Sequence, residues 1–293
     1  MPGMNTIAYL GPEQTNTHMA AMKRFGRRAL YIHAPTVDDL FIAVERQRAD
    51  YGVVPVENSL EGAVTHTLDR FIDFKHSPVK IHSEMEQPIR HALIIYKHAK
   101  FESVKVVFSH PQALAQSRRW LDEHLRHAER RETNSTAEAV HELLNPSRTT
   151  TYIEGAGVNR GPRPFERAAI ARSELATGKL RAIHIPDQRE NRTRFLMIGL
   201  GEASRRGRSK TSVLFALKDK PGALHDVLAP FKRHRINLTK IESRPSKRKA
   251  WQYLFFIDFE GHLQERRVQR ALTTLKRHTT DLQVLGSYPC SRP

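Results

Sequence analysis

The sequence predicts an α/β fold followed by a smaller ferredoxin-like domain, and three observations support this prediction. From Thr6 to Phe195, short apolar segments alternate with amphipathic ones, which is typical of the strands and helices of an α/β domain. Residues 202–210 lack apolar periodicity and are rich in charge, as a linker is. The order strand, helix, strand, strand, helix, strand then follows, which is the βαββαβ plan of ferredoxin-like domains.

In the first part, each short apolar run predicts a strand and each apolar stripe at helical spacing predicts a helix. Strands are predicted at Thr6–Leu10, Leu30–His33, Tyr51–Val56, Ala92–Tyr96, Val104–Phe108, Thr150–Ile153, Ala182–Ile185 and Phe195–Leu200. Helices are predicted at His18–Phe25, Val37–Gln47, Val64–Phe71, Pro111–His124, Thr136–Leu144 and Phe165–Thr177. Ligands of such sheets bind where strands end and helices begin, so the polar residues after Leu10, Val56 and Phe108 are site candidates.

The second part begins after the linker and does not repeat the first. Its elements are predicted, in order, as strand Thr211–Leu217, helix Ala223–Arg233, strand Asn237–Ser243, strand Trp251–Asp258, helix Glu265–His278 and strand Gln283–Ser287.

Length and composition exclude several classes of protein. The 293 residues suffice for two domains with a substantial core. No run approaches the roughly 18 apolar residues that cross a bilayer, and Met1 to Ala8 lacks the pattern of a secretory signal. The single cysteine, Cys290, excludes an internal disulfide and a cysteine-based zinc site. We therefore expect a cytoplasmic protein without a membrane partner.

The strong positive charge does not by itself identify a partner. Lys and Arg number 48 against 31 Asp and Glu, for a formal charge of +17, which can attract nucleic acid, anionic membranes or an anionic substrate. The densest clusters, Arg205–Lys210 and Lys247–Lys249, fall where loops are expected. No zinc-finger spacing, RNA-binding aromatic signature or phosphate-binding lysine loop is present. A solvated basic surface is the simpler interpretation, and no nucleic-acid partner is expected.

The first candidate loop, Gly11–His18, lies between a strand and a helix. Thr15 or Thr17 can cap that helix, and the free amides of its first turn favour a bound carboxylate. An ordinary helix cap explains the two threonines equally well.

The second candidate loop, Pro55–Gly62, carries polar side chains out of a buried strand. Asn58 and Ser59 can donate hydrogen bonds to an anionic oxygen, and Glu57 can accept one or orient a donor. A simple turn remains an alternative explanation for Asn58 and Ser59.

The third candidate loop is Ser109-His110-Pro111-Gln112. Ser109 as a cap and Pro111 at the first helical position predict a helix whose amides face the strand ends. His110 suggests a general base, but it is one of 16 histidines and its backbone is restricted by Pro111. A Ser-His-Asp triad lacks its Gly-x-Ser-x-Gly elbow, and metal ligands at helical spacing are absent.

The fourth segment, Asn191–Phe195, precedes the apolar run Leu196–Gly199 and predicts a polar loop that enters a buried strand. If residues alternate along this strand, Thr193 and Phe195 share one face and Arg194 points the other way.

These four segments, in this order, resemble those of the prephenate dehydratases. The resemblance rests on Leu10–Glu13, Gly52–Ser59 with Gly62, Ser109–Gln116 and Asn191–Phe195, and it covers nearly the whole chain. It implies a catalytic domain at 1–201 with two lobes like those of periplasmic binding proteins and a site between them. Lobe 1 is expected at about 1–80 and 181–201, and lobe 2 at about 81–180.

The resemblance also implies the reaction, in which prephenate loses carbon dioxide and water to give phenylpyruvate as the ring becomes aromatic. It implies that Thr193 is catalytic, at the leaving hydroxyl, and that Phe195 packs against the substrate ring. No cofactor and no metal are implied. Arg194 is expected to brace the loop rather than to touch the substrate. The substrate-binding candidates are Thr15, Thr17, Glu57, Asn58, Ser59, Ser109, Gln112, Arg194 and Phe195.

Residues 211–293 resemble the ACT regulatory domain of the same family, through Asp219–Leu224 and Asn237–Pro245. This resemblance implies feedback inhibition by phenylalanine and pairing of ACT domains in a homodimer or homotetramer. Because no chorismate mutase segment precedes Thr6, a monofunctional enzyme is expected. The effector-binding candidates are Pro221, Gly222, Ala223, Leu224, Asn237, Glu242, Ser243 and Arg244.

Two residues depart from the family pattern in the first loop. Gln14 replaces a glycine, which costs about 1–2 kcal/mol if that position is left-handed. Asn16 replaces an aromatic residue, which could admit a more polar ligand such as arogenate. Arogenate dehydratase is therefore one alternative function. A prephenate decarboxylase that forms no aromatic product generally lacks the Thr-Arg-Phe segment and the ACT domain, and a catalytically inactive amino-acid sensor is the non-enzymatic alternative.

Overall fold

The computed structural model of the chain describes residues 4–73, 77–145, 151–152, 158–159, 162–186, 190–205, 207–218, 220–246 and 251–290. The chain divides into two compact units. The first comprises Met1–Gly11, Thr17–Gln87 and Thr193–Pro293, and the second comprises Pro12–Asn16 and Pro88–Arg192. No helix among these described residues is long and apolar enough to cross a membrane.

The N-terminal region alternates strands and helices as predicted, with ends that differ by a few residues. Its elements are β1 (Thr6–Leu10), α1 (Asn16–Phe25), β2 (Leu30–Ala34), α2 (Val37–Glu45), β3 (Tyr51–Asn58), β4 (Gly62–Ala63), α3 (Thr65–Asp73) and β5 (Val79–Pro88). The strands β4 and β5 are absent from the sequence-based prediction. Much of β5 is polar, and its buried Glu84 faces cations rather than a hydrophobic core, so the apolar pattern of a strand is hidden.

The middle of the chain forms a second α/β region. Its elements are β6 (Ala92–Tyr96), β7 (Val106–Ser109), α4 (Pro111–Gln116), α5 (Arg118–His124), β8 (Glu129–Glu132), α6 (Thr136–Leu144), β9 (Thr151–Tyr152), β10 (Val158–Asn159), β11 (Arg167–Ala171) and β12 (Leu180–His184), and the chain then returns through β13 (Arg192–Leu200). Thr150 and Ile153 of the predicted strand lie outside the described residues, as does the basic cluster at 247–249.

One helix prediction in this region is wrong, and another is confirmed with an interruption. The segment predicted as helix Phe165–Thr177 is strand β11 between two short 3-10 turns. Its Ala-rich sequence favours a helix, but pairing with β6 and β7 buries it in the middle of a sheet, and this tertiary context overrides the local preference. The helix predicted at Pro111–His124 is interrupted at Ser117, which separates α4 from α5.

The first unit contains a sheet of order β2-β1-β3-β13-β5, with β4 beside β3. Residues alternate along β13, so Phe195 and Met197 pack with α1 on one face. Leu196 and Ile198 pack on the other face with α2 and α3. The side chain of Arg194 also lies on this second face, so Arg194 and Phe195 point to opposite faces as predicted.

The second unit contains a sheet of order β12-β6-β11-β7-β8, with a hydrophobic cluster on each face. The chain passes between units at Gln87/Pro88 and at Arg192/Thr193, later than the expected crossings near Lys80 and Leu180. The reason is that β5 continues in the first sheet to Pro88, while β12 pairs with β6 in the second.

The C-terminal domain has the predicted βαββαβ order. Its elements are β14 (Ser209–Leu217), α7 (Ala223–Arg233), β15 (Leu238–Pro245), β16 (Tyr253–Glu260), α8 (Arg266–His278) and β17 (Thr279–Pro289). The antiparallel sheet has the order β15-β16-β14-β17, and α7 and α8 cover one of its faces. The α/β class with a ferredoxin-like C-terminal domain is therefore confirmed.

The other face of this C-terminal sheet packs against the N-terminal α/β region within the first unit. Leu214, Phe256 and Leu285 join the hydrophobic cluster that contains Ile198. A Cβ atom at Gly286 would lie 2.4 Å from the main-chain oxygen of Ile81, so the backbones of β17 and β5 approach closely there. A glycine at this position permits that contact.

Candidate active site

The central feature of the candidate site is the pair Thr193 and Asn58. Thr193 on β13 lies opposite Asn58 at the end of β3 in the antiparallel pairing of these strands. Asn58 Nδ2 donates a hydrogen bond of 3.0 Å to Thr193 Oγ1. A hydroxyl oxygen that accepts this bond keeps its own proton, so Thr193 can still donate to a ligand.

Asn58 is itself held in place by the turn that follows β3. Its side-chain oxygen accepts hydrogen bonds from the backbone amides of Leu60, at 3.0 Å, and Glu61, at 3.2 Å. This local turn fixes which end of the amide faces Thr193, because only the nitrogen can donate. The turn predicted at Asn58 is therefore confirmed, whereas its hydrogen bond to an anionic ligand stays a prediction.

A β-bulge separates Thr193 from the hydrophobic core. Arg194 pairs with Glu57, whereas Phe195 pairs with Pro55, so one residue of β3 is extra at this point. Beyond the bulge, the Phe195 ring is 1% exposed in the cluster that includes Ile7 and Tyr9. In the first unit, Phe195 therefore anchors β13 in the core, and half-buried Thr193 lies at the strand's outer end.

Arg194 is enclosed on the opposite face of β13 by four oxygen-bearing partners. Its Nε donates to Glu84 on β5 at 2.7 Å, and its Nη2 donates to Asp258 on β16 at 2.5 Å. The same Nη2 lies 3.3 Å from the Tyr288 hydroxyl, and Nη1 lies 3.4 Å from Glu57. Arg194 thus binds the C-terminal sheet through Asp258 and Tyr288.

Two lysines of the C-terminal domain complete this arrangement. Lys210 Nζ lies 2.8 Å from Glu84, and Lys240 Nζ lies 2.9 Å from Glu57. Charges of +3 and −3 sum to zero in what we call the buried charge cluster: Arg194, Lys210, Lys240, Glu57, Glu84 and Asp258.

The electrostatics of this cluster keep Arg194 charged and Tyr288 neutral. Burial alone would lower the pKa of Arg194, but the charges of Asp258 and Glu84 outweigh it and raise the pKa above its usual range. Burial and the neighbouring Asp258 raise the pKa of Tyr288 well above its ordinary value of 10. Tyr288 therefore remains a hydroxyl, which also lies 2.7 Å from the Ser212 hydroxyl.

The structure gives Glu57 surroundings that differ from those expected of a substrate ligand. Its carboxylate lies between Lys240 and Arg194, on the face of the sheet covered by the C-terminal domain. The neighbouring Asn58 turns to Thr193 instead, because successive residues of a strand point to opposite faces. Ser59 follows as an exposed residue of the turn.

In the second unit, the third loop has a different helix cap from the one predicted. His110, not Ser109, is the N-cap of α4, and its Nδ1 accepts a 3.3 Å hydrogen bond from the Gln112 amide. Ser109 is fully buried and donates at 2.7 Å to the carbonyl of Ile170. This helix cap accounts for the position of His110, whose role as a general base stays a prediction.

The first loop contains the left-handed residue that the sequence analysis anticipated. Gln14 has φ 66°, the conformation that a glycine adopts without strain. Its carbonyl accepts a 2.8 Å hydrogen bond from Arg172 Nη2 within the second unit. Thr15 directly precedes α1, and Thr17 is buried in the first turn of that helix.

Sequence reasoning missed Arg172 because it lies within the segment Phe165–Thr177, which was predicted as a helix. A strand prediction for the same segment would have placed Arg172 just beyond the carboxyl end of β11, where ligands of such sheets bind. Its side chain is buried, and burial lowers its pKa despite the opposing charge of Glu174.

A second group of residues missed as a set fixes the segment before β13. Gln116 Oε1 accepts from Asn191 Nδ2 at 3.0 Å and from His91 Nε2 at 3.1 Å. The amide of Ile89 donates to the carbonyl of Asn191 at 2.8 Å. Burial lowers the pKa of His91, so its imidazole is kept neutral.

The effector-binding candidates lie on two elements of the C-terminal domain. Pro221 and Gly222 precede α7, and Ala223 and Leu224 begin it, with Gly222 at φ 77° as its N-cap. Glu242, Ser243 and Arg244 lie on the edge strand β15, and exposed Asn237 precedes it.

One of these candidates contacts the catalytic region. Arg244 Nε and Nη2 donate to the two carboxylate oxygens of Asp69 on α3, at 3.1 and 3.2 Å. This two-point ion pair is a second polar link of the C-terminal domain, here to helix α3.

Comparison with known protein families agrees with this division of the chain. The sequence model for prephenate dehydratase matches residues 7–203, and the model for the ACT domain matches residues 211–277.

No group of three or more potential metal-ligating His, Cys, Asp or Glu side chains occurs in the part of the chain that the structure describes.

Individual relatives lead to the same family. The chain is 46% identical over 287 residues to a bifunctional chorismate mutase/prephenate dehydratase of Aquifex aeolicus, covering 97% of this chain and 73% of the relative. It is 38% identical over 260 residues to a prephenate dehydratase of Methanocaldococcus jannaschii, covering 87% and 86%. A prephenate dehydratase from Arthrobacter aurescens, solved in complex with L-Phe, superposes with a TM-score of 0.82 at 33% identity, covering 98% of this chain and 90% of that one. The chain therefore belongs to the prephenate dehydratase family of hydro-lyases and carries the family's ACT domain.

Proposed function

We propose that the chain converts prephenate to phenylpyruvate with the Thr193 hydroxyl as the group that assists departure of water. The ring carboxylate leaves as carbon dioxide, and its bonding electrons enter the ring. The ring carbon–oxygen bond breaks, and the departing hydroxyl takes up one proton, supplied overall by the solvent, to become water. Aromatisation supplies the driving force. Because a threonine hydroxyl is a very weak acid, it acts by a hydrogen bond that strengthens as the carbon–oxygen bond breaks.

The observation that carries this proposal is the hydrogen bond from Asn58 to Thr193. It orients the hydroxyl oxygen before substrate binds, and the Asn58 turn holds the donor in its place. A donor that is already oriented needs little rearrangement in the transition state, which is the source of its catalytic value.

The family resemblance assigns the substrate-binding residues, and the observed surroundings assign Phe195, Arg194 and Glu57. Thr15, Thr17, Ser59, Ser109 and Gln112 are proposed substrate-binding residues. Phe195, in the core, fixes the strand that carries Thr193. The contacts of Arg194 and Glu57 within the buried charge cluster support a role in holding β13, rather than the substrate contact first proposed for them.

Regulation by phenylalanine through the ACT domain belongs to the same proposal, with Pro221–Leu224, Asn237 and Glu242–Arg244 as effector-binding residues. The L-Phe complex of the Arthrobacter aurescens relative supports it. Within this chain, Arg194 is bonded to Asp258 of the ACT sheet and is adjacent in sequence to Thr193. A shift of that sheet on effector binding would therefore act on the catalytic strand.

A homodimer or homotetramer and a cytoplasmic location complete the proposal. The edge strand β15, with exposed Ile241 and the nearby exposed Tyr253, supports pairing of ACT domains, because an unpaired edge with apolar side chains favours association.

Arogenate is the second candidate substrate, and one observation favours it. The side-chain oxygen of Asn16 is buried without a hydrogen-bond partner in the described parts of the chain. Such an acceptor suits the ammonium group that arogenate has in place of the keto group of prephenate. Restoring the aromatic residue by Asn16→Phe should then lower kcat/KM for arogenate more than for prephenate.

The test is to incubate the purified chain with each substrate and to follow the products by proton NMR. Aromatic phenylpyruvate from prephenate supports the proposal, and phenylalanine from arogenate supports the second candidate. A decarboxylated product without an aromatic ring would identify the decarboxylase alternative. Unchanged substrate, with phenylalanine still bound, would identify a sensor.

A further inference from the structure

Arg172 is a buried cation whose positive charge has no carboxylate partner among the residues that the structure describes. Its side chain is 7% exposed, and its hydrogen bond goes to the neutral carbonyl of Gln14. Glu174 lies near enough to influence its pKa but forms no ion pair with it, and the pKa of Arg172 is lowered by burial. This contrasts with Arg194, which is equally buried but surrounded by carboxylates.

The position of Arg172 in the second unit is that of a ligand-binding residue. It directly follows β11, whose parallel neighbour β7 ends at Ser109. The Ser109 hydroxyl bonds to the carbonyl of Ile170, two residues before Arg172, so the ends of these strands are held together. In parallel sheets this carboxyl edge is where ligands bind.

A buried guanidinium without a counter-charge is unfavourable unless a bound anion neutralises its charge. A guanidinium has five N–H donors, and a carboxylate can take two of them side by side. The bond to Gln14 occupies a donor on Nη2, which leaves others for an anion. An organic carboxylate is therefore the ligand chemistry that this position fits.

We propose that Arg172 binds the side-chain carboxylate of the substrate, the one that the product retains; this rests on the proposed function. The ring carboxylate is excluded by the chemistry, because it must lose its charge as carbon dioxide. A guanidinium bound to it would stabilise the ground state more than the transition state and slow the reaction. The retained carboxylate keeps its charge throughout, so binding it lowers KM without affecting kcat.

The same contact explains how the chain tolerates Gln14. The strained Gln14 conformation presents its carbonyl to Arg172, and the guanidinium thereby links the first loop to the end of β11. Arg172 thus supplies a carboxylate contact in the loop where the family glycine is missing.

The experiment compares Arg172→Gln and Arg172→Lys with the parent protein and with the control Arg181→Gln. Arg181 also donates to a backbone carbonyl, that of Ala99 at 3.1 Å, but it lies exposed on β12. Steady-state kinetics give KM and kcat for prephenate. Calorimetric titration with phenylpyruvate measures binding of the retained carboxylate without turnover, and thermal midpoints verify folding.

Arg172→Gln should raise KM for prephenate and weaken phenylpyruvate binding by roughly 10- to 100-fold, with kcat within about threefold of the parent. The KM and the phenylpyruvate affinity of Arg172→Lys should lie between those of Arg172→Gln and the parent. Both values for Arg181→Gln should match the parent. The inference is overturned if Arg172→Gln keeps KM and phenylpyruvate affinity within about twofold of the parent. It is equally overturned if kcat falls while phenylpyruvate affinity is kept, because Arg172 would then only shape the loop. Absence of turnover by the parent protein would instead refute the proposed function.

Discussion

Replacing Arg194 by methionine tests whether the buried charge cluster holds strand β13 to the ACT domain. The side chains of Arg194, Glu84 and Asp258 are 10%, 3% and 9% exposed, so water screens their charges only weakly. Methionine has a similar length but leaves both carboxylates without their shared partner. Removing one member of a buried ion pair typically costs about 3–5 kcal/mol, because the remaining charges stay buried and uncompensated.

The assay is urea-induced unfolding followed by circular dichroism, with Arg208→Met as the matched control. Arg208 also pairs with a carboxylate, that of Glu260 at 3.3 Å, but its side chain is 84% exposed. We expect Arg194→Met to lower the free energy of unfolding by about 3–5 kcal/mol and Arg208→Met to lower it by at most about 1 kcal/mol. Equal losses in the two variants would refute the reasoning, because burial would then not decide the strength of these contacts.

Three further predictions follow from individual residues. Tyr288 has a raised pKa in the folded state, so the stability it contributes is present below its unfolded pKa of about 10 and is lost as pH rises further. The free energy of unfolding should therefore fall less at alkaline pH in Tyr288→Phe than in the parent, and an equal fall would contradict this. Gly222→Ala should relieve inhibition by phenylalanine with turnover preserved, whereas Gly178→Ala, which strains a similar positive φ elsewhere, should leave inhibition intact; persistent inhibition in Gly222→Ala would count against the effector site. Gln14→Gly should raise the thermal midpoint, because φ 66° suits glycine, and a lower midpoint would show that the loop is not strained.

Local sequence patterns predicted the parts of the fold and site that depend on neighbouring residues. The alternation of Thr193, Arg194 and Phe195 follows from strand geometry alone, and the turn at Asn58 follows from the polar run after a buried strand. Strand ends also indicated the loops in which Thr17 and Ser109 lie, because parallel sheets collect their ligands there.

Long-range contacts decided what the sequence left unpredicted. The polar strand β5 is buried because cations of another domain neutralise Glu84, and no pattern near Glu84 reveals the later Lys210. The Ala-rich β11 looks helical until its partners on both sides are known, and this error concealed Arg172 at its end. Glu57 was predicted to bind substrate together with its neighbour Asn58, but its carboxylate lies on the opposite face of the strand and pairs with Lys240.

The most direct test of the account is the turnover of Thr193→Val and Thr193→Ser with prephenate, at saturating substrate. Valine keeps the shape of threonine but removes the hydroxyl, whereas serine keeps the hydroxyl that Asn58 orients. We predict that kcat falls by about 10²- to 10³-fold in Thr193→Val, stays within about tenfold of the parent in Thr193→Ser, and that phenylalanine binding is unchanged in both. A Thr193→Val enzyme with most of its kcat would contradict the central role of this hydroxyl.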